Sequence, residues 1–226
     1  MMWMRMPGQS WPGAALSFLG MWMVMMAAMM SPSFVPMLWR YRQALAGAGE
    51  TRPGWQITLV SAGYFLVWSG FGMSAFVLGA VWTSLEMRLP TLAQAAPLAA
   101  GTIVLIAGAL QFTAWKAHHL ACCREASVCG CGPGDAGVAW DAGAAWEAGA
   151  AWRQGLRLGL HCCCCCAGLT TIQLVAGVMD LRVMAGVAAA IGIERLAPAA
   201  RRMERAIGVL VVVLGLFLIG RSAGLG

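Results

Sequence analysis

Nine cysteines and three histidines gather in two short stretches of this 226-residue sequence. The first stretch holds His118, His119 and four cysteines between positions 122 and 131, and the second is His161 followed by the run Cys162–Cys166. Thiolate and imidazole are the ligands that Cu(I) and Zn²⁺ prefer, so the two stretches together predict a soft-metal site. The odd number of cysteines favours metal binding over a complete set of disulfides.

Two His–Cys pairs in the first stretch have helical spacing. His118 and Cys122 are four residues apart, as are His119 and Cys123, and residues at this spacing share one face of a helix. If the helix of the third apolar stretch continues past Trp115, either pair can bind a single ion.

The five consecutive cysteines cannot all face one ion, because neighbouring side chains on a helix point about 100° apart. Cys162, Cys165 and Cys166 do share a face. We expect these three to meet His119 and Cys123 across a pair of antiparallel helices, since sequential elements are usually neighbours. The preferred ion is copper(I), with zinc as the less favoured one.

Packing is the alternative interpretation for several of these sulfur-containing residues. Free cysteine is small and readily buried, so a cysteine run also suits close helix packing, and packing is the preferred interpretation for Cys129 and Cys131. Met25 and Met29 are four residues apart in a methionine-rich first apolar stretch and could form a second station for Cu(I). A methionine-rich core is the favoured interpretation of that stretch. Pro32 is expected to end or kink its helix.

The composition excludes most soluble functions. Apolar residues make up 60% of the sequence and charged residues 11%, whereas about a quarter of a typical soluble protein is charged. The net charge of +6 does not indicate nucleic-acid binding, because the basic residues lie between apolar runs and not in one basic stripe. The sequence is that of an integral membrane protein in contact with the lipid bilayer.

Five apolar stretches approach the roughly 20 residues that a helix needs to cross a bilayer. They cover residues 14–30, 57–82, 98–115, 156–179 and 207–219. Val183–Leu196 is a weaker sixth stretch, short and interrupted by Glu194. The expected fold is a single all-α domain over residues 1–226, a polytopic transmembrane helix bundle of six spans, or five if Val183–Leu196 does not cross.

The basic residues predict the orientation of a six-span chain. Eleven fall on one side of the bilayer and four on the other, and the positive-inside rule makes the first side cytoplasmic, with both termini outside. A five-span chain would have its C-terminus inside. The first set is Arg40, Arg42, Arg52, Lys116, Arg124, Arg153, Arg157, Arg195, Arg201, Arg202 and Arg205, and the second is Arg5, Arg88, Arg182 and Arg221. The thiols then lie near the cytoplasm, where disulfides are rare.

One polar segment, residues 125–153, separates the third and fourth stretches. It repeats a six-residue unit of the form Asp/Glu-Ala-Gly-x-Ala-Trp, ending at Trp140, Trp146 and Trp152. These tryptophans would not line one helical face, because six residues turn a helix by about 240° on a 3.6-residue repeat. We interpret the segment as a low-complexity cytoplasmic loop whose tryptophans lie at the membrane interface, with a partner-docking loop as the alternative.

Four blocks of the chain resemble a bacterial family catalogued as predicted metal-binding integral membrane proteins of unknown function. His119 stands where that family has a cysteine, Arg195 stands where it has a lysine, and Ala167, Thr170 and Asp180 also depart from its pattern. The resemblance implies a multi-span protein of the cell inner membrane. The matching residues are Trp22, Met25, Ala28-Met29-Met30 and Pro32; Gln111, Thr113, Lys116, Leu120, Cys123 and Arg124; Gly159, Cys162, Cys165 and Cys166; and Gly177-Val178-Met179, Leu181, Met184 and Glu194.

Glu194 is the acidic residue to explain, because an ionisable group inside an apolar helix is costly. We expect it to be buried with Arg182, Arg157 or an ion as its partner; the alternative is a solvated carboxylate at a helix end beside Arg195 and Pro198. Phosphate-binding loops and hydrolase nucleophile motifs are absent from the sequence, so no enzymatic activity is expected.

Two functions are consistent with these features. The first is a membrane protein that binds or handles a soft metal ion, copper(I) before others, through Cys, His and Met ligands. The second is a non-catalytic small subunit that packs within a larger membrane complex, with partner subunits and incidental thiols.

Overall fold

The computed structural model describes residues 8–47, 53–125, 148–178, 180–196 and 200–224, which contain seven helices and no strand. In chain order these are α1 (Trp11–Gly47), α2 (Pro53–Arg88), α3 (Pro90–Leu110), α4 (Ala114–Glu125), α5 (Ala148–Ala176), α6 (Leu181–Leu196) and α7 (Ala200–Ser222). The prediction of an all-α helical bundle is confirmed.

Five of the described helices are long and apolar enough to cross a membrane: α1, α2, α3, α5 and α7. The weaker sixth stretch forms α6, whose 16 residues span only about 24 Å at 1.5 Å per residue. Many large apolar side chains on the five long helices point away from the bundle, among them Val24, Leu78, Leu210 and Phe217. Such side chains are unfavourable in water and suit a lipid environment.

The helix pair α2–α5 is closely packed because glycines lie at its contact. A methyl group added to Gly155 would collide with the backbone of Val60, and one added to Gly63 would lie 2.8 Å from the carbonyl oxygen of Trp152. Small residues let helix backbones approach each other in this way. The close approach brings Tyr64 of α2 against the cysteine run of α5.

The pair α3–α7 is packed in the same manner and is antiparallel. Gly101 of α3 lies against Ile219 of α7, and Gly108 lies seven residues further along α3 against Val212. Helix α3 also contacts α5, where Gly168 lies against Ala107.

Helix α1 buries one face against α2. The indole of Trp22 donates a hydrogen bond to the carbonyl oxygen of Trp68, 3.0 Å away, and Met26 and Met30 are fully buried. The methionine-rich stretch is therefore core, as favoured above. Of the two outcomes predicted for Pro32, an end or a kink of the helix, the first is wrong, because α1 continues through Pro32 to Gly47. Packed helices tolerate proline because neighbouring groups satisfy the freed backbone carbonyl.

The third predicted span does not continue as one helix into the first cysteine stretch. Helix α3 ends at Leu110, and α4 begins at Ala114 after a turn. The hydroxyl of Thr113 accepts a hydrogen bond from the backbone N–H of Lys116, 3.3 Å away, which is the contact of a helix N-cap. Thr113 was the residue in the sequence that could have indicated this break, because threonine is a favoured N-cap residue.

The chain reverses between α5 and α6 in a short turn. Gly177 has a φ of 129°, which glycine adopts without strain. The carboxylate of Asp180 accepts a hydrogen bond from the backbone N–H of Arg182, 2.8 Å away, and so caps α6. Most of the Ala-Gly-Trp segment lies outside the described residues, and α5 begins at Ala148, within the predicted loop.

Candidate metal centre

Three cysteines of the run occupy one buried face of α5, as their spacing predicts. Cys162, Cys165 and Cys166 each expose 2% of their surface. The two intervening residues, Cys163 and Cys164, are only half-buried. The run therefore contains two kinds of cysteine, and only one kind faces the interior of the bundle.

Cys123 of α4 joins these three from the neighbouring helix. Its sulfur lies 3.5 Å from that of Cys165, and the sulfur of Cys165 lies 3.6 Å from that of Cys166. Two thiolates bound to one ion at about 2.3 Å stand roughly 3.8 Å apart in a tetrahedral site. We refer to Cys123, Cys162, Cys165 and Cys166 as the thiol cluster.

The guanidinium of Arg195 lies among the four sulfurs. Its Nη2 atom is 2.9 Å from Cys162, 3.1 Å from Cys165, 3.4 Å from Cys166 and 3.7 Å from Cys123, measured to each sulfur. Arginine keeps its proton in proteins, so a fixed positive charge stabilises thiolates here. Among the described residues, no group of three or more His, Cys, Asp or Glu side chains is arranged to hold a metal ion. The Nη2 atom of Arg195 occupies the position between the four sulfurs.

The tyrosine of α2 completes the surroundings of the cluster. The hydroxyl of Tyr64 lies 2.9 Å from the sulfur of Cys162, and its ring stacks on Phe34 of α1 with centroids 4.3 Å apart. Beside them is a partly open cavity of about 210 Å³. It is lined by Ser33, Phe34, Pro36, Met37, Tyr64, Cys123, Leu158, Cys162, Arg195 and Leu196.

His119, expected to share an ion with Cys123, is directed to another histidine. Its Nδ1 atom lies 2.9 Å from Nδ1 of His161, and both this pair and the Cys123–Cys165 pair are 42 residues apart in sequence. Helix α4 therefore passes α5 in a parallel sense, and the expected antiparallel arrangement was wrong. Burial, reinforced by the neighbouring His118, lowers the pKa of His119 below 6.5.

Residues 19–218, most of the sequence, match the family model PpoB2, described as a copper chaperone. The chain belongs to the PpoB2 copper chaperone family. No curated protein and no solved structure matches it. The PpoB2 match includes the whole thiol cluster, Arg195 and the histidine pair, and it supports the metal-related family that the sequence blocks indicated.

Met25 and Met29 lie on the buried face of α1 in this PpoB2 chain. The amide nitrogen of Gln173 donates a hydrogen bond to the Met25 sulfur, 3.0 Å away. Gln173 is eight residues beyond Cys165, about 12 Å along α5 at 1.5 Å per residue. The structure therefore places Met25 beside Gln173 and not beside the thiol cluster.

Glu194 is buried, as predicted, with 2% of its surface exposed. Its partner is Lys116 of α4, whose ammonium nitrogen lies 2.8 Å from each carboxylate oxygen. Lys116 was not among the partners predicted for Glu194: Arg182 is at the far end of α6, and Arg157 is exposed. The solvated alternative was wrong. Burial raises the pKa of Glu194, and the charge of Lys116 opposes that rise.

Removing one member of this pair should destabilise the protein strongly. We expect Lys116→Met to leave the buried Glu194 carboxylate without the ammonium group of Lys116, at a cost of roughly 3–5 kcal/mol. The thermal unfolding midpoint in detergent should fall accordingly, whereas the double variant Lys116→Met/Glu194→Gln should recover much of the loss. Arg182→Met, an exposed charge removed from α6, serves as the control. Equal midpoints for Lys116→Met and the wild type would contradict the prediction.

Proposed function

We propose that this PpoB2 family member is a multi-pass membrane protein that binds Cu(I) at the thiol cluster and passes it on without catalysing a reaction. The observation that carries the proposal is the convergence of four sulfurs, from two helices, within 3.7 Å of one nitrogen atom. Thiolates select soft ions such as Cu(I). The family description, copper chaperone, supports the same cargo.

Arg195 favours a monovalent cargo over a divalent one. Its positive charge lies within hydrogen-bonding distance of the sulfurs, so any ion bound by these sulfurs is repelled by it. For a given set of thiolates, this repulsion is twice as large for Zn²⁺ as for Cu⁺. Arg195 therefore shifts the selectivity of the thiol cluster toward Cu(I) and away from Zn²⁺.

The membrane placement is supported by the five long apolar helices and their exposed apolar side chains. Helix α6 is short, but it returns along α5 far enough for Arg195 to reach Cys162. Because α7 is antiparallel to α3, the chain ends on the side where α1 begins. With the basic residues inside, both termini are outside, and the cavity beside the cluster lies toward the cytoplasmic ends of α1 and α6.

Metal analysis of the full-length protein tests this function. Detergent-purified protein, reduced, loaded anaerobically with Cu(I) and desalted, should retain about one copper ion or more per chain, because thiolate sites hold soft ions tightly. Elemental mass spectrometry gives the stoichiometry, with a detergent blank as the control. Copper at the level of the blank would overturn the proposal and favour a non-catalytic subunit of a larger membrane complex.

A further inference from the structure

The histidine pair His119–His161 is outside the thiol cluster but aligned with it. His119 precedes Cys123 by one helical turn on α4, and His161 precedes Cys165 by one turn on α5. The two imidazole nitrogens are 2.9 Å apart, and the two sulfurs 3.5 Å apart. Two pairs of soft ligands are therefore stacked along the α4–α5 contact, about 6 Å apart for four residues at 1.5 Å per residue.

The two pairs differ in exposure and ligand strength. Both histidines and Cys123 are half-buried, whereas Cys165 is almost fully buried. Imidazole binds copper, but as a neutral ligand it holds Cu(I) less firmly than a thiolate does. A Cu(I) ion that first binds His119 and His161 therefore lowers its free energy by moving to Cys123 and Cys165.

We propose that His119 and His161 form a second Cu(I) site that loads the thiol cluster. This inference rests on the proposed function, since the cluster is the destination of the ion. Cu(I) is a d¹⁰ ion that accepts two nitrogen ligands, and the histidine side chains need only separate by about 1 Å to admit it with bonds of roughly 2.0 Å.

The transfer is a ligand exchange along the two helices. As each Cu–S bond forms to Cys123 or Cys165, one Cu–N bond to the histidine one turn away breaks. The proton of an incoming thiol passes to the imidazole that is released. Copper stays in the +1 state throughout, so the step needs no oxidant or reductant.

Loading kinetics test the histidine site. Full-length protein in detergent is mixed with the coloured Cu(I)–bicinchoninate complex, and the loss of colour reports copper transfer. We expect His161→Ala to load roughly tenfold more slowly or worse, yet to reach the copper content of the wild type. His118→Ala, which alters an exposed histidine beside the pair, should load at the wild-type rate, and His161→Gln repeats the test with a polar side chain should His161→Ala fail to fold.

Ligand identity provides a second measurement. In the double variant Cys123→Ser/Cys165→Ser, X-ray absorption should detect copper coordinated by nitrogen. Wild-type loading rates in both His161 variants would overturn the histidine site while leaving the proposed function intact. Loss of copper content, and not of rate, in these variants would overturn the two-site arrangement. A wild-type protein that took up no copper would overturn the proposed function and this inference together.

Discussion

Cys165→Ser is expected to lower the affinity for Cu(I) by more than about 100-fold. Substitutions of residues that only surround the metal ligands already lower affinity by up to about 100-fold, and this substitution removes a proposed ligand. Cys165 is the central member of the thiol cluster: its sulfur contacts those of Cys123 and Cys166 and the guanidinium of Arg195. Serine substitutes a hard hydroxyl oxygen, which Cu(I) does not favour. Competition with bicinchoninate measures the affinity.

The run provides a matched control one residue away. Cys164 is on the same helix but only half-buried, so Cys164→Ser should retain the wild-type affinity. Equal losses from the two substitutions would mean that the run acts through its total thiol content and not through the face that α5 buries. An unchanged affinity in Cys165→Ser would remove the thiol cluster as the binding site.

Arg195→Met is expected to change which ion the protein prefers. Methionine keeps an unbranched side chain but removes the positive charge that lies within 3.7 Å of all four sulfurs. Two unit charges about 4 Å apart interact by roughly 4 kcal/mol at an effective dielectric constant of 20. Removing this charge should raise the affinity for Zn²⁺ relative to Cu⁺ on the order of 100-fold, allowing for partial solvent screening.

Parallel competition titrations with Cu(I) and Zn²⁺ chelators give this ratio. Arg195→Lys keeps the charge and should keep the preference for Cu(I), whereas Arg182→Met removes an exposed charge from the same helix and should leave the ratio unchanged. If Arg195→Met and Arg195→Lys shifted the ratio equally, the charge of Arg195 would not determine selectivity.

Local helix geometry explains which parts of the site the sequence predicted. Cys162, Cys165 and Cys166 share a face because residues three and four apart always do so on a helix. Arg195 was not predicted as their partner, because its contact depends on how α6 packs on α5. A basic residue next to a buried glutamate in an apolar segment was the available signal.

The same dependence on helix packing explains why the contacts of His119 and Lys116 were not predicted. The four-residue spacing of His119 and Cys123 predicted a shared ligand face, but the crossing of α4 and α5 decides what each side chain meets, and His119 meets His161. Lys116 was predicted as a basic residue of the cytoplasmic side, with no side-chain partner assigned. The break after Leu110 turns it toward Glu194.

In the proposed membrane placement, the two adjacent charges of α6 also constrain the order in which the helices assemble. Charged residues disfavour the insertion of a helix into lipid, so α6, which has only 16 residues and carries Glu194 and Arg195 in its last turn, is a poor insertion signal alone. Their partners, Lys116 and the cysteines, belong to helices made earlier in translation. Helix α6 can therefore pack directly against helices that already carry the partners of its two charges.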